Sequence, residues 1–258
     1  MRLNEHAWGA GDAPQVVCAH GVTGHGLRFR RLGEELGAGF RVRSLDLRGH
    51  GRSGWEAPWT IEAHVEDLAE TAGGPADWIG HSFGGRLVVE LAARRPELVR
   101  RAVLLDPALW VPPDFAGARA EEQLAGPSFG SPEEALEARA TGTGLGWLAH
   151  TPRAALEEEI AEHLVESPDG RWRYRYSPEA VAAAWHEMAT DPPAFDRARV
   201  PTLLVLGSRS KLVSGGELEA YRAALADELH VVVVPGGHIP LWDAYERTAA
   251  AVRGFLES

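Results

Sequence analysis

Two serines of the chain stand between glycines in a five-residue pattern that is typical of nucleophilic catalysis. Residues 80–84 read GHSFG and residues 126–130 read GPSFG. A serine in this pattern attacks an acyl carbon when it lies on a sharp turn between a strand and a helix, because its hydroxyl is then exposed to a substrate. The pattern predicts a serine nucleophile, and the surrounding sequence must decide between the two.

The flanking residues favour the first serine. Ser82 directly follows a short apolar run and precedes an amphipathic helix pattern over residues 84–95. Ser128 has Pro127 before it, Pro132 shortly after it and no strand pattern upstream, which is typical of a loop. We therefore predict that Ser82 is the nucleophile and that Ser128 lies in a loop.

A serine hydroxyl is inert at neutral pH unless a base accepts its proton. Of the 11 histidines, His238 is the best placed, since residues 235–240 (PGGHIP) follow the last predicted strand and precede the last predicted helix. Loops at the carboxyl ends of parallel strands build the sites of such folds. His238 is the predicted base, whereas His163, His186 and His230 are predicted to be ordinary helix or strand-edge residues.

Acyl transfer also needs backbone N–H groups that bind the negative oxygen of the intermediate. Val22, in the loop of residues 20–24 (HGVTG), and Phe83, directly after the nucleophile, are the predicted donors. His20 is predicted to organise this loop rather than to transfer protons. The neighbours of the donors are predicted to contact the substrate: His20, Gly21 and His81.

Short apolar runs alternate with helical patterns along most of the chain, which predicts a mostly parallel sheet with crossover helices. The predicted strands are residues 14–20, 40–47, 77–80, 101–105, 201–206 and 230–234. The predicted helices are residues 26–36, 60–69 with Thr60 as N-cap, 84–95 and 246–256. Strand patterns stop between residues 108 and 197, so we predict a largely helical insertion there.

Composition narrows the class of protein. The 258 residues are 45% hydrophobic and 24% charged, with a net charge of −11, which indicates a globular chain and argues against binding nucleic acid or anionic membrane. Cys18 is the single cysteine, so no internal disulfide is possible and a buried thiol is expected. The sequence has no apolar run of ~18 residues and no apolar signal-peptide core at its start, so we expect no stable membrane insertion and a cytoplasmic location.

Four segments in this order resemble the α/β-hydrolase superfamily over nearly the whole chain. They are residues 20–24 (HGVTG), 46–53 (DLRGHGRS), 80–85 (GHSFGG) and 236–240 (GGHIP). Residues 20–26 together with residues 54–61 (GWEAPWTI), and Asp169-Gly170-Arg171, resemble actinobacterial lipase and esterase members. The resemblance implies an α/β-hydrolase core of residues 1–107 and 198–258, with a helical cap of residues 108–197. The polar residues of 46–53 are expected to lock neighbouring loops.

The expected acid of a catalytic triad is displaced in this sequence. The superfamily usually places it after the penultimate strand as Gly-x-x-Asp, but residues 207–211 read GSRSK, so Ser210 occupies that position. Asp106 ends the strand after the nucleophile helix and keeps the chain order serine, acid, histidine. Asp243, five residues past His238, is expected to face the same histidine loop and to cap the final helix. We predict Asp106 as the acid, with a purely structural Asp106 as the alternative.

These features together predict a serine hydrolase that cleaves small-molecule carboxylic esters through an acyl-enzyme, as a monomer or homodimer. Ser82, His238 and Asp106 form the predicted triad, and neither a metal nor an organic cofactor is required. Aromatic residues of the cap are predicted to line an apolar acyl pocket, above all Trp110 and Trp147, with Phe129, Trp172 and Trp185 as further members.

Other functions remain open at this point. A thioesterase, a lactonase, a C–C bond hydrolase and a perhydrolase use the same machinery. A different class, a non-catalytic ligand-binding protein on the hydrolase scaffold, is suggested by the neutral Ser210 at the usual acid position.

Overall fold

The computed structural model describes residues 1–141, residue 148 and residues 151–258. Within these residues the chain forms a seven-stranded sheet and a separate two-stranded sheet. The strands, in chain order, are β1 (Glu5–Trp8), β2 (Gln15–Ala19), β3 (Arg41–Leu45), β4 (Ala76–His81), β5 (Val99–Leu105), β6 (Leu164–Glu166), β7 (Trp172–Tyr174), β8 (Thr202–Gly207) and β9 (Leu229–Val234).

The large sheet has the spatial order β1-β3-β2-β4-β5-β8-β9. Only β1 runs antiparallel to its neighbour, and the other strands are parallel. The predicted α/β architecture with a mostly parallel sheet is therefore confirmed. Parallel strands need crossover connections, and here helices supply them.

The helices of the described residues cover both faces of this sheet. In chain order they are α1 (Arg30–Leu36), α2 (Ile61–Ala72), α3 (Phe83–Arg94), α4 (Pro113–Leu124), α5 (Pro132–Thr141), α6 (Arg153–His163), α7 (Pro178–Met188), α8 (Gly215–Leu225), α9 (Pro240–Asp243) and α10 (Tyr245–Glu257). The apolar residues of α1 and α10 pack on one face, and those of α2, α3 and α8 pack on the other.

The sequence of strand β2 is continuously apolar because both of its faces are buried. Successive side chains of a strand point to opposite faces, so Val16 and Cys18 enter one apolar cluster while Val17 and Ala19 enter the other. Cys18 is fully buried and has no disulfide partner. Burial raises the pKa of its thiol, because the thiolate would lose its hydration, and the residue is an inert part of the core.

The segment between β5 and β8 contains α4, α5, α6 and α7, in agreement with its predicted helical character. It also contains β6 and β7, which pair as an antiparallel hairpin that the sequence analysis does not predict. Gly170, with a φ of 74°, lies in the turn. The alternation of Trp172, Tyr174 and Tyr176 with arginines is a sequence pattern typical of a strand, and it could have indicated β7. Three-residue strands are too short for that period to stand out.

Three further elements of the described residues lie outside the predicted set. Strand β1 is added at the edge of the sheet, α8 follows residues 207–211, and the short helix α9 follows the loop of His238. Helix α8 begins with a capping box, since Ser214 accepts from the N–H of Glu217 and the Glu217 carboxylate accepts from the N–H of Ser214. The predicted N-cap Thr60 is confirmed, because its hydroxyl accepts from the N–H of Ala63.

Among the residues described, no helix combines the length and the apolar character needed to cross a bilayer. The carboxyl ends of β2, β4, β5, β8 and β9 lie at one edge of the sheet, as the parallel pairing requires. The segments that carry the predicted site residues follow these strand ends.

Candidate active site

Ser82 forms the turn between β4 and α3 in a backbone conformation that non-glycine residues rarely adopt. Its φ is 54° and its ψ is −119°. Such a conformation is strained, and it persists because neighbouring backbone holds it. The Ser82 N–H donates to the carbonyl of Leu105 at 3.2 Å, and the Ser82 carbonyl accepts from the N–H groups of Arg86 and Ala108 at 3.2 and 3.0 Å.

The glycines on either side of Ser82 allow this sharp turn to pack against the sheet. A Cβ atom on Gly84 would lie 2.1 Å from the carbonyl oxygen of Ala19 in β2. A Cβ atom on Gly80 would lie 2.5 Å from the carbonyl oxygen of Gly84. Neither distance is possible for a real side chain, so both positions require glycine.

A continuous chain of hydrogen bonds joins Ser82, His238 and Asp106. The distance from Ser82 Oγ to His238 Nε2 is 3.0 Å, and that from His238 Nδ1 to Asp106 Oδ2 is 2.7 Å. A carboxylate only accepts, so the ring proton lies on Nδ1 and Nε2 is free to accept the serine proton. The three residues are 3%, 5% and 1% exposed, so water hardly competes for these bonds.

Asp106 is fixed at the end of β5 by its backbone and by its carboxylate. Its φ is 43°, and its N–H donates to the carbonyl of Val205 in the neighbouring β8 at 2.8 Å. Ser210 Oγ donates to Asp106 Oδ2 at 2.6 Å and itself accepts from the N–H of Leu212 at 3.3 Å. The serine at the usual acid position thus contacts Asp106, the predicted acid.

Asp243 faces the histidine loop, as expected, but it has a different role from the one predicted. Its Oδ2 accepts from the N–H of Gly237 at 2.6 Å, and its Oδ1 accepts from the hydroxyl of Thr151 at 3.0 Å. The N-cap of α10 is Ala244, which has no side-chain cap. The prediction that Asp243 caps the final helix is therefore wrong. Its carboxylate braces the loop that carries His238, because the amide of Gly237 lies within its reach.

The two predicted oxyanion donors lie next to Ser82, the predicted nucleophile. Phe83 is the first residue of α3, where an N–H has no partner within the helix and the helix dipole favours negative charge. On the other side, a Cβ atom on Gly21 would lie 3.0 Å from Ser82 Cβ and 3.2 Å from His81 Nδ1. The loop with Val22 therefore packs directly against the serine.

Buried histidines hold this loop in place. His20 Nδ1 donates to the carbonyl of Gly21 at 2.8 Å, while its Nε2 accepts from the N–H of Leu47 at 2.9 Å. His50 Nε2 donates to the carbonyl of Val22 at 2.7 Å, in line with the predicted locking role of residues 46–53. Burial and the neighbouring His50 lower the pKa of His20 well below its usual range, so it is neutral. Both of its nitrogens bind backbone, and neither points to a substrate.

His81, the last residue of β4, contacts the backbone and the ring of His238. Its Nε2 donates to the carbonyl oxygen of His238 at 2.9 Å, and the two rings lie 4.8 Å apart. Burial and His238 together lower the pKa of His81 well below its usual range, so its ring is neutral. His81 therefore supports the histidine loop, and its predicted contact with substrate stays a prediction.

Of the two principal cap tryptophans, Trp147 lies outside the described residues. Trp110 is 38% exposed and lines a cavity of about 560 Å³ beside the loop that carries Ser210. Apolar and charged side chains share this cavity, among them Val111, Phe115, Lys211 and Leu212. No group of histidine, cysteine and carboxylate side chains in the described residues is arranged to hold a metal ion.

One buried charged residue near the site has no signal in the sequence. Glu159 of α6 bonds His25 and Arg28, which directly follow the loop of Val22. Three further glutamates surround it in residues 157–162, and nothing in the local pattern distinguishes it from them. Only the packing of α6 shows that this carboxylate is buried.

Comparisons with known proteins agree with this geometry. A model of the family described as the alpha/beta hydrolase fold matches residues 14–245. Lipase LipV of Mycobacterium tuberculosis is 35% identical, over 98% of this chain and 97% of the relative. The 2-(acetamidomethylene)succinate hydrolase of Mesorhizobium japonicum is 31% identical, over 96% of this chain and 90% of the relative.

Solved structures show the same arrangement of elements. The crystal structure of E-2-(acetamidomethylene)succinate hydrolase superposes with a TM-score of 0.86 at 28% identity. The superposition covers 99% of this chain and 95% of that chain.

Proposed function

The chain belongs to the α/β-hydrolase family, and from that premise we propose that it hydrolyses carboxylic esters with Ser82, His238 and Asp106 as its triad. The resemblance found in the sequence is confirmed by the family match and by the mycobacterial lipase relative. The protein is an esterase- or lipase-like serine hydrolase. The residue roles that follow are our proposal, and they rest on the hydrogen-bond chain among the three side chains.

Acylation begins when Ser82 Oγ attacks the carbonyl carbon of the ester. His238 Nε2 accepts the serine proton, and Asp106 stabilises the imidazolium that forms. The negative oxygen of the tetrahedral intermediate accepts hydrogen bonds from the N–H groups of Val22 and Phe83. The bond to the alcohol then breaks, His238 gives its proton to the leaving oxygen, and the acyl group remains on Ser82.

Deacylation repeats these steps with water. His238 removes a proton from a water molecule, whose oxygen attacks the acyl carbon, and the same backbone amides bind the second negative oxygen. Breakdown of this intermediate returns the proton to Ser82 and releases the carboxylic acid. Ser210 takes part only through Asp106, since its hydroxyl donates to the carboxylate oxygen that also accepts from His238.

We further propose that residues 1–107 and 198–258 form the catalytic core and that residues 108–197 form a cap that selects the substrate. Sequence position and architecture support this division, because the segment is inserted between β5 and β8 and carries its own small sheet. The name of the mycobacterial relative favours a lipid-like ester.

The test is hydrolysis of p-nitrophenyl esters from acetate to palmitate by the wild-type protein and by Ser82→Ala. Turnover near or above ~1 s⁻¹ that is lost in the variant supports the proposal. The preferred chain length then separates an esterase from a lipase. Reaction with a fluorophosphonate, followed by mass spectrometry, identifies the labelled serine. Background rates from folded protein, without labelling, would contradict the proposal and favour a non-catalytic ligand-binding protein.

A further inference from the structure

Glu159 is a buried carboxylate at the contact between α6 and the core. Its side chain is 1% exposed, although it lies among surface glutamates. A buried charge is stable only when several partners compensate the loss of hydration. The partners of Glu159 come from two parts of the chain and show what this residue holds together.

Three basic residues surround the carboxylate. Arg28 Nε donates to both carboxylate oxygens at 3.1 and 3.0 Å, and its Nη2 also bonds Glu159. His25 Nε2 donates at 2.9 Å and Arg139 Nη2 at 3.3 Å. Burial alone would raise the pKa of Glu159, but Arg28 and His25 lower it well below its usual range. The carboxylate is therefore ionised.

Arg28 connects Glu159 to residues 20–24, the loop that contains the proposed oxyanion donor Val22. Arg28 Nη2 donates to the carbonyl of Thr23 at 2.9 Å. A Cβ atom on Gly24 would lie 2.9 Å from Arg28 Nη1, so the guanidinium packs against the turn itself. The turn is closed by the N–H of Gly24, which donates to the carbonyl of Gly21 at 2.8 Å. Val22 lies inside this turn.

We propose that Glu159 is a positioning residue that fixes the oxyanion loop through Arg28 and His25. The inference rests on the proposed function, in which the Val22 N–H binds the negative oxygen. The loop is held from two sides: His20 and His50 fix it from the core, and Glu159 fixes Arg28 from the segment between β5 and β8. Because Glu159 belongs to α6, the position of the Val22 N–H depends on how α6 packs against the core.

The alignment matters more for the transition state than for the bound substrate. The negative charge on the oxygen exists only after the serine has attacked, and a misplaced donor loses its strength at that moment. Removal of a whole oxyanion donor lowers kcat by about 10²–10³-fold. Displacement of one donor through Glu159 is a milder change, so we expect a loss of kcat of about 10-fold, with KM within about twofold.

Neighbouring glutamates provide the matched control. Glu158 belongs to the same helix and pairs with Arg30 at 3.5 Å, but its side chain is 60% exposed. This pair joins α6 to α1 without touching residues 20–24. Glu158→Gln removes the same charge from the same helix and leaves the connection to Thr23 intact.

The experiment compares wild type, Glu159→Gln and Glu158→Gln. Rates are divided by the concentration of active sites titrated with a fluorophosphonate, so that misfolded protein does not count. We expect Glu159→Gln to lower kcat per active site by about 10-fold with little change in KM, and Glu158→Gln to match wild type. A wild-type kcat in Glu159→Gln overturns the proposal, whatever its thermal stability.

A second measurement does not depend on ester hydrolysis. Hydrogen–deuterium exchange of peptides spanning residues 20–28 should become faster in Glu159→Gln and stay unchanged in Glu158→Gln. Unchanged exchange in Glu159→Gln overturns the proposal. If wild type itself neither cleaves esters nor reacts with the fluorophosphonate, the proposed function fails, and exchange still tests whether Glu159 holds the loop.

Arg28→Lys covers the case in which Glu159→Gln does not fold. Lysine keeps the positive charge opposite Glu159 but lacks the fork of N–H groups that bonds the carboxylate and Thr23 together. We expect the same loss of kcat and the same faster exchange over residues 20–28. Wild-type values for both measurements in this variant would show that the fork of Arg28 does not hold the loop.

Discussion

The pattern glycine, any residue, serine, phenylalanine, glycine occurs at residues 80–84 and again at residues 126–130, and the two copies have different structures. Ser82 is buried on a strained turn and bonds His238. Ser128 is half-buried in the connection between α4 and α5, where its carbonyl and hydroxyl oxygens accept from Arg171. The four residue types that the two copies share therefore do not determine the chemistry of the serine.

The difference comes from what surrounds each copy. Strand β4 ends at His81 and α3 begins at Phe83, so the backbone turns at Ser82, at the edge of the sheet where His238 and Asp106 lie. Ser128 has neither, and Phe129 instead pairs with Trp172 of the hairpin. A serine becomes a nucleophile only where the fold brings a histidine to its hydroxyl.

The largest expected difference between the two copies is the effect of removing each serine. Ser82→Ala should lower kcat for a p-nitrophenyl ester by on the order of 10⁶-fold, because the nucleophile is lost. Ser128→Ala should match wild type, since that hydroxyl bonds the exposed side chain of Arg171 and no histidine of the described residues. Steady-state kinetics and the stoichiometry of fluorophosphonate labelling measure both. Loss of labelling in Ser128→Ala, with full labelling of Ser82→Ala, would reverse the assignment.

The second test concerns Asp106, which is linked to Ser82 through His238 and has no counterpart at Ser128 among the described residues. Asp106→Asn should lower kcat by about 10⁴-fold, because an amide cannot stabilise the imidazolium and favours the wrong tautomer of the histidine. Asp243→Asn should lower it by less than about 10-fold, since an amide oxygen still accepts from the N–H of Gly237. The kcat values of both variants at saturating ester decide between the two aspartates. Equal losses would show that Asp106 is not the acid.

Glycine substitutions test the difference in packing. Gly84→Ala should destabilise the protein by about 3 kcal/mol or more, because its Cβ would meet the carbonyl of Ala19 in the sheet. Gly130→Ala should change the free energy of unfolding by no more than about 0.5 kcal/mol, since its Cβ would approach only the ends of two flexible side chains among the described residues, those of Glu134 and Arg171. Urea unfolding followed by fluorescence compares them. Similar midpoints for the two variants would contradict this reading.

The smallest expected effect is that of the hydroxyl at the usual acid position. Ser210→Ala removes the hydrogen bond to Asp106 Oδ2, and we expect kcat to fall about fivefold, in line with a net bond of about 1 kcal/mol. Ser208→Ala, on an exposed residue of the same loop, is the control and should match wild type. A kcat of Ser210→Ala equal to that of Ser208→Ala would show that this bond does not align the acid.

Much of the fold follows from local patterns. Apolar runs predict the core strands, because a parallel sheet buries both faces of each strand. The hairpin of β6 and β7 is not predicted from such patterns, because strands of three residues are too short to show an alternation of apolar and polar residues. Strand β1 escapes it as well, because its place at the edge leaves its side chains only partly buried.

The sequence by itself determined the turn at Ser82, since the glycines before and after it and the flanking strand and helix are local properties. It also indicated His238, by its place between the last strand and the last helix. Tertiary structure alone decided which carboxylate faces that histidine, because Asp106 and His238 meet across 132 residues. It also decided that Ser210 supports Asp106 and that Glu159 reaches Arg28, 131 residues away. Such contacts depend on how the strands and helices pack, and no local pattern encodes that packing.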